Sequence, residues 1–398
     1  MKKYAILREF FPWNLFAPPI SEKFLAMSVP HMKPPKSLWR DKELDVTTHE
    51  IESYDGQKLT CFLMSPKGLP EKAPCLVYLH GGGFVLEAAG YHYANAMRYA
   101  KEVGCKVVFP LYRLAPQHPF PAFFEDCYAA FGWAYDHAEE LGIDIDHMGI
   151  GGDSAGSTLA VGVCLMARER NHPVKFRFQM LPYPFLDARN ESESCKRFTD
   201  TPMWNSSLSD RIGPMTKVEK NHPNYIWYSP VEAESFEGLP PAYIETAEFD
   251  CLHDDGILYA DLLKKAGVAV TLNETKGTMH GFDIATKAHT TLAAMEQRIA
   301  FMKRMLEDIP NFPAALDNAK VLFYTPYGDY GAIRYPDGET ADDYRYLAIC
   351  RYPEDNTCYL FCCNESYEVV SDWPGSSIAD CMKVAAVSYK ENIHWLEM

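Results

Sequence analysis

The chain has 398 residues, 38 basic and 54 acidic side chains and a net charge of −16, which argues against nucleic acid or an anionic membrane surface as a partner, because both are held by basic surface. Its 47% hydrophobic and 13% aromatic content can fill a sizeable core, so wholesale disorder is excluded. No apolar run reaches the ~18 residues that span a bilayer, and the length permits two to three domains or one large α/β domain with an appendage.

The opening MKKYAILREFFPWNLF starts basic, but Arg8, Glu9 and Pro12 interrupt its apolar stretch and no small-residue cleavage site follows. It reads as an amphipathic helix rather than a secretory leader, and residues 1–45 read as helices that pack onto another core. Asp55-Gly56, between VTTHEIESY and LTCFLMSP, predicts a β-hairpin. From residue 74, apolar strands at 75–80, 106–112, 147–152, 176–183, 242–249 and 269–274 alternate with helical patterns at 91–103, 122–141, 155–170, 255–266 and 285–307. That alternation predicts an α/β domain over residues 46–309, with a mostly parallel sheet covered on both faces. Residues 186–238 fit neither period and read as an insertion over the sheet edge, a common form of lid.

The pattern changes near Pro310-Asn311-Phe312-Pro313, a linker signal. Residues 317–398 hold ten of the 24 tyrosines and read as antiparallel strands with one helix near 375–388. This predicts a small, acidic α+β accessory domain that serves as a protein-partner surface, a dimer contact or a carbohydrate contact. Twelve cysteines are scattered, several inside apolar runs such as those around Cys75 and Cys164. They read as buried thiols of a reducing, cytoplasmic compartment. Cys362-Cys363 reads as two strand residues, and no spacing suits zinc.

The chemistry concentrates in two glycine-rich turns. Gly152-Asp153-Ser154-Ala155-Gly156 follows a strand and opens a helix, the setting in which G-x-S-x-G perches a serine on a strained turn and demands small neighbours. His80-Gly81-Gly82-Gly83-Phe84 follows the strand at 75–80, and its unshielded amides suit a developing oxyanion. Phosphate-loop spacing is absent from it.

These two motifs, with Tyr112-Arg113-Leu114-Ala115-Pro116, His118-Pro119-Phe120-Pro121-Ala122, Thr199-Asp200-Thr201-Pro202-Met203, Tyr228-Ser229-Pro230, Gly238-Leu239-Pro240-Pro241-Ala242, Ala247-Glu248-Phe249-Asp250 and Met279-His280-Gly281-Phe282, resemble the hormone-sensitive-lipase-like family of α/β-hydrolase carboxylesterases over residues 40–308. The resemblance implies an α/β-hydrolase fold with a helical cap built from the N-terminal segment and the 186–238 insertion. It implies Ser154 as nucleophile, Asp250 as acid and His280 as base, in the family's chain order. Cys251 and His253 stand where the family usually has Pro and Arg, which leaves Asp254 and Asp255 as rivals for the acid. His80 is expected to hold its loop rather than act as the base.

The amides of Gly81, Gly82 and Ala155 would form the oxyanion hole, and Phe84, Tyr183 and Trp204 would wall the pocket. The expected reaction is hydrolysis of a small ester, acetyl to about octanoyl, through an acyl-enzyme on Ser154, with no cofactor and no metal. An amidase such as a formamidase could use the same three side chains, and some similar proteins bind ligands without turnover after losing the histidine.

Overall fold

The computed structural model describes residues 3–17, 21, 23, 33–306, 312–325, 330–334, 340–364, 366–389, 393 and 395–398. The chain divides into two compact units, Met1–Leu306 and Glu307–Met398.

The first unit is an eight-stranded sheet: β1 (Leu44–Glu52), β2 (Lys58–Pro66), β3 (Ala73–Leu79), β4 (Lys106–Pro110), β5 (Ile143–Gly152), β6 (Gln179–Pro182), β7 (Ala242–Phe249) and β8 (Val270–Met279). The order is β1-β2-β4-β3-β5-β6-β7-β8, with β1–β2 and β2–β4 antiparallel and every other pair parallel. Alternate residues of the apolar strands feed opposite cores, as the two-residue period requires. In β3, Cys75, Val77 and Leu79 face a core shared with helices α2 (Ala122–Asp136), α3 (Ala155–Glu169) and α6 (His253–Lys265). Leu76 and Tyr78 face a second core, shared with α1 (Gly90–Tyr99) and α7 (His289–Leu306).

Two structural facts position the site. The chain runs from β3 to β4 in one direction, then resumes on the other side of β3 with β5, so the strand order reverses between β3 and β5. Ligands bind such sheets outside the carboxyl ends of the strands at that reversal. In addition, every residue of α3 from Ala155 to Ala167 is buried, as expected of a helix that is apolar on all sides. Its small residues permit that. A Cβ on Gly162 would sit within 2.6 Å of the Phe124 ring.

The insertion has more structure than its sequence suggests. It contains α4 (Glu193–Arg197) and α5 (Ser206–Thr216), capped by Ser192 and Asn205, whose side chains accept the amides of Cys195 and Leu208. The N-terminal helix expected at 1–16 is not what forms. Residues 8–10 and 13–15 are single 3₁₀ turns, and Pro12 lies between them without an amide to continue a helix. Much of the stretch 18–32, also read as cap helix, lies outside the described residues.

The second unit holds an antiparallel sheet ordered β15 (Val369–Gly375), β14 (Cys358–Cys363), β13 (Tyr346–Arg351), β10 (Ala319–Tyr324) and β16 (Leu396–Glu397), with β9 (Ala315–Leu316) paired to β10. The pair β11 (Ala332–Arg334) and β12 (Thr340–Asp343) is separate. One helix, α8 (Ile378–Ser388), covers the face that carries Leu347, Ile349 and Leu360. Cys362 lies on that face and Cys363 on the other, so the vicinal thiols point apart. All twelve cysteines of the chain are free and buried.

Candidate active site

Ser154 sits between β5 and α3 with φ +56° and ψ −122°, a backbone state that costs an L residue about 1–3 kcal/mol. Packing enforces it. A Cβ on Gly152 or Gly156 would run into the Leu79 carbonyl at the end of β3, so the turn can close only with glycine on both sides. The Ser154 amide donates to the Pro182 carbonyl at 3.0 Å.

His280 follows directly on β8, which runs five residues past the expected strand end, to Met279. Its Nε2 lies 2.8 Å from Ser154 Oγ and its Nδ1 lies 2.7 Å from Asp250 Oδ2. The other Asp250 oxygen accepts the Leu252 amide at 3.0 Å, and the carboxylate is fully buried. Asp254 and Asp255 point elsewhere. Asp254 accepts the Ser194 amide, and Asp255 accepts the amides of Leu186 and Asp187 at the entry to the insertion. Burial pushes the Asp255 carboxyl well above the usual range.

The glycine loop leaves β3 beside β5, with Leu79 paired to Gly152. A Cβ on Gly81 would lie 2.5 Å from an Asp153 carboxylate oxygen and 3.2 Å from Ser154 Cβ, so the loop backbone lies against the serine turn. Gly82 has φ +122°. Ala155 is the first residue of α3, and its amide, like all first-turn amides, has no partner within the helix.

His80 is turned away from Ser154. Its Nδ1 is 2.7 Å from the Gly81 carbonyl, and its ring stacks on Tyr112 at 4.3 Å. Burial first, then neighbouring His92, lowers its pKa to about 3, so it is neutral at pH 7. Asp153 anchors the layer beneath. It accepts from Tyr78 Oη at 2.6 Å and from His92 Nε2 at 3.1 Å. Because His92 Nδ1 accepts the Ala89 amide, Nε2 carries the proton. Burial alone would raise the Asp153 carboxyl, but His92 and Tyr78 outweigh it and hold it at about 2.

A pocket of about 200 Å³ opens on Ser154 and Ala155. Phe84 and Trp204 line it, joined by Phe185, Ile212, Tyr228 and Leu252. Tyr183, expected as a wall, is not one. It is buried behind His280, with its hydroxyl committed to Asp283 at 2.6 Å.

Sequence reasoning also missed the charged layer there. Arg298 of α7 is buried between Glu245 and Asp283, donating to Asp283 Oδ2 at 2.8 Å and to the Tyr99 hydroxyl at 3.1 Å. Burial would lower its pKa, but Glu245, Tyr99 and Asp283 keep it charged. The signal existed. Arg298 falls inside the Met295, Ile299, Met302 stripe of its helix, and Glu245 falls mid-strand in an apolar run.

A family profile described as alpha/beta hydrolase fold matches residues 76–284. The chain belongs to the hormone-sensitive-lipase-like α/β-hydrolases. Among its relatives in this family, carboxylesterase NlhH of Mycobacterium tuberculosis is 32% identical over 281 residues, which are 69% of this chain and 86% of that protein. The arylesterase of Saccharolobus solfataricus is 31% identical, over 65% of this chain and 81% of that one. Among solved structures, a bacterial heroin esterase superposes with a TM-score of 0.63 at 31% identity, covering 71% of this chain and 97% of that one. This α/β-hydrolase is a carboxylic ester hydrolase. The family match ends before the second unit begins. Among the described residues, no helix is long and apolar enough to cross a membrane, and no group of three or more His, Cys, Asp or Glu side chains could hold a metal ion.

Proposed function

We propose that the protein hydrolyses short-chain acyl esters through an acyl-enzyme on Ser154. The observation that carries this reading is the continuous hydrogen-bonded line Ser154–His280–Asp250, at 2.8 and 2.7 Å. His280 Nε2 takes the Ser154 proton as Oγ attacks the ester carbonyl. Asp250 keeps the other proton on Nδ1 and stabilises the imidazolium. The amides of Gly81, Gly82 and Ala155 receive the oxyanion, where losing one donor typically costs ~3–4 kcal/mol. The alcohol leaves with the proton from His280. Water, deprotonated by the same histidine, then releases the acid. The ligand-binding alternative depends on loss of this base, and His280 lies within reach of Ser154.

The pocket supports a small acyl group. Its volume of about 200 Å³ lies below the ~300–1,000 Å³ of pockets that take drug-sized ligands, and the lining is mainly apolar. The test is hydrolysis of p-nitrophenyl esters from acetate to palmitate, with Ser154→Ala alongside. Turnover should be highest at short chains and fall steeply beyond octanoate. No turnover on any ester, or a preference for palmitate, overturns the reading.

A further inference from the structure

Tyr183 follows β6 with φ +35°, a conformation that bulky L residues rarely adopt. Both hydrogen-bond donors of the residue are engaged. Its amide donates to the Glu245 carbonyl at 2.6 Å, and the carbonyl just before it, on Pro182, accepts the Ser154 amide at 3.0 Å. Its hydroxyl donates to Asp283 Oδ1 at 2.6 Å. Its ring meets the His280 imidazole edge-on, with centroids 5.0 Å apart and planes at 66°.

Asp283 is three residues beyond His280, in the 3₁₀ turn Phe282–Ile284, which is entered through Gly281 at φ +62°. Its second oxygen accepts from Arg298 Nη1 at 2.8 Å and from Asn95 Nδ2 at 3.2 Å. The turn that carries the histidine is therefore held from below by a carboxylate with three side-chain donors. Tyr183 is the donor that also touches the imidazole. A ring used only as filler needs no hydroxyl, and burying one without need is unfavourable. Backbone strain of this kind persists where the surroundings impose it, and such positions cluster at active sites.

We propose that Tyr183 is a positioning residue, which holds the His280 imidazole in line with Ser154 by tying its own hydroxyl to Asp283 and its ring edge to the histidine. This rests on the reading of Ser154 and His280 as nucleophile and base. Misplacing a reacting group by about 1 Å can cost ~100-fold in rate. Tyr183→Phe removes the tether and keeps the ring, so kcat should fall about tenfold; Tyr183→Leu removes both, so the loss should approach ~100-fold. In each variant KM should stay within about twofold, because the residue lies outside the pocket.

The assay uses p-nitrophenyl acetate on the full chain. Rates are normalised to sites titrated to completion with a fluorophosphonate, so that misfolded protein is not counted. A purely structural role would lower the titratable fraction and leave kcat per site unchanged, and that result overturns the proposal. So does a loss confined to KM. If the leucine variant fails to fold, the near-isosteric phenylalanine variant decides alone. Turnover that survives Ser154→Ala would instead overturn the reading of the site itself.

Discussion

The two units solve the burial of a sheet in different ways. The first hides both faces of a mostly parallel sheet under helices and places Asp126, Asp153, Glu245, Asp250, Asp255, Asp283 and Arg298 inside. The second covers an antiparallel sheet with one helix and with aromatic rings. Among its described residues the buried polar side chain is Thr325, which accepts the Leu347 amide at 2.9 Å. From position 317 to 398 the sequence holds six basic against fourteen acidic residues, half the net charge of the chain, and none of the described charged residues there is fully buried. Buried ions are costly and contribute little to stability for that cost. Asp153, Asp250, Asp283, Glu245 and Arg298 lie at or directly behind the Ser154–His280 pair, whereas Asp126 holds Arg113 and Asp255 holds the entry to the insertion, so the contrast sets a unit with buried charged groups behind its candidate site against one held by packing.

The largest effect expected of that contrast is catalytic. Asp250→Asn should lower kcat about 10⁴-fold on p-nitrophenyl acetate with little change in KM, because the neutral amide favours the wrong imidazole tautomer. A loss below tenfold would mean that another group orients His280. Next comes the buried ion cluster. Arg298→Met leaves Glu245 and Asp283 without their cation and should destabilise the first unit by about 3–5 kcal/mol, or ~10 °C in calorimetry. An unchanged melting temperature would show that the cluster is not in place. Leu360→Ala, in the core of the second unit, should cost about 2–5 kcal/mol yet leave kcat per titrated site unaltered. A fall in kcat there would break the division of labour.

Acid should act mainly on the first unit. His80 is neutral when folded down to about pH 3, whereas in the unfolded chain it takes up a proton near its ordinary value of 6.5. The unfolded state therefore binds more protons in between. Stability is full above pH 6.5 and falls towards pH 3, by at most ~1.4 kcal/mol per pH unit from this group. Denaturant titrations of wild type and His80→Gln from pH 7 to 4 should show a shallower decline for the variant. The smallest effect is expected from ending the chain after Leu306: activity on p-nitrophenyl acetate should stay within about twofold. An insoluble product would show that the first unit leans on the second.

The sequence showed much of this site because its chemistry sits where strands end. Glycines at 81, 82, 152 and 156 mark close backbone approaches that no other residue permits, and the family resemblance then points to His280 and to Asp250, with Asp254 and Asp255 left as rivals until the structure turns them elsewhere. What it hid depends on packing across the sheet. Nothing around Tyr183 says that its ring reaches a loop one hundred residues away. In the insertion α4 is too short for a helical period to register and Gly213-Pro214 obscure that of α5, although their caps at Ser192 and Asn205 are readable afterwards. The N-terminal segment has helical composition but is divided by Pro12, and it spends its Leu7 amide on the Gly277 carbonyl rather than on a helix.

One contact limits how freely this enzyme can be rebuilt. A Cβ on Gly83 would come within 2.7 Å of the Trp204 indole, so the third glycine of the loop is shaped to a residue of the insertion. The insertion is then not an interchangeable cover. A chimera that takes residues 186–238 from another esterase inherits a different surface against Gly83. Recombination in this scaffold has to carry the loop and the insertion together, as one inherited block.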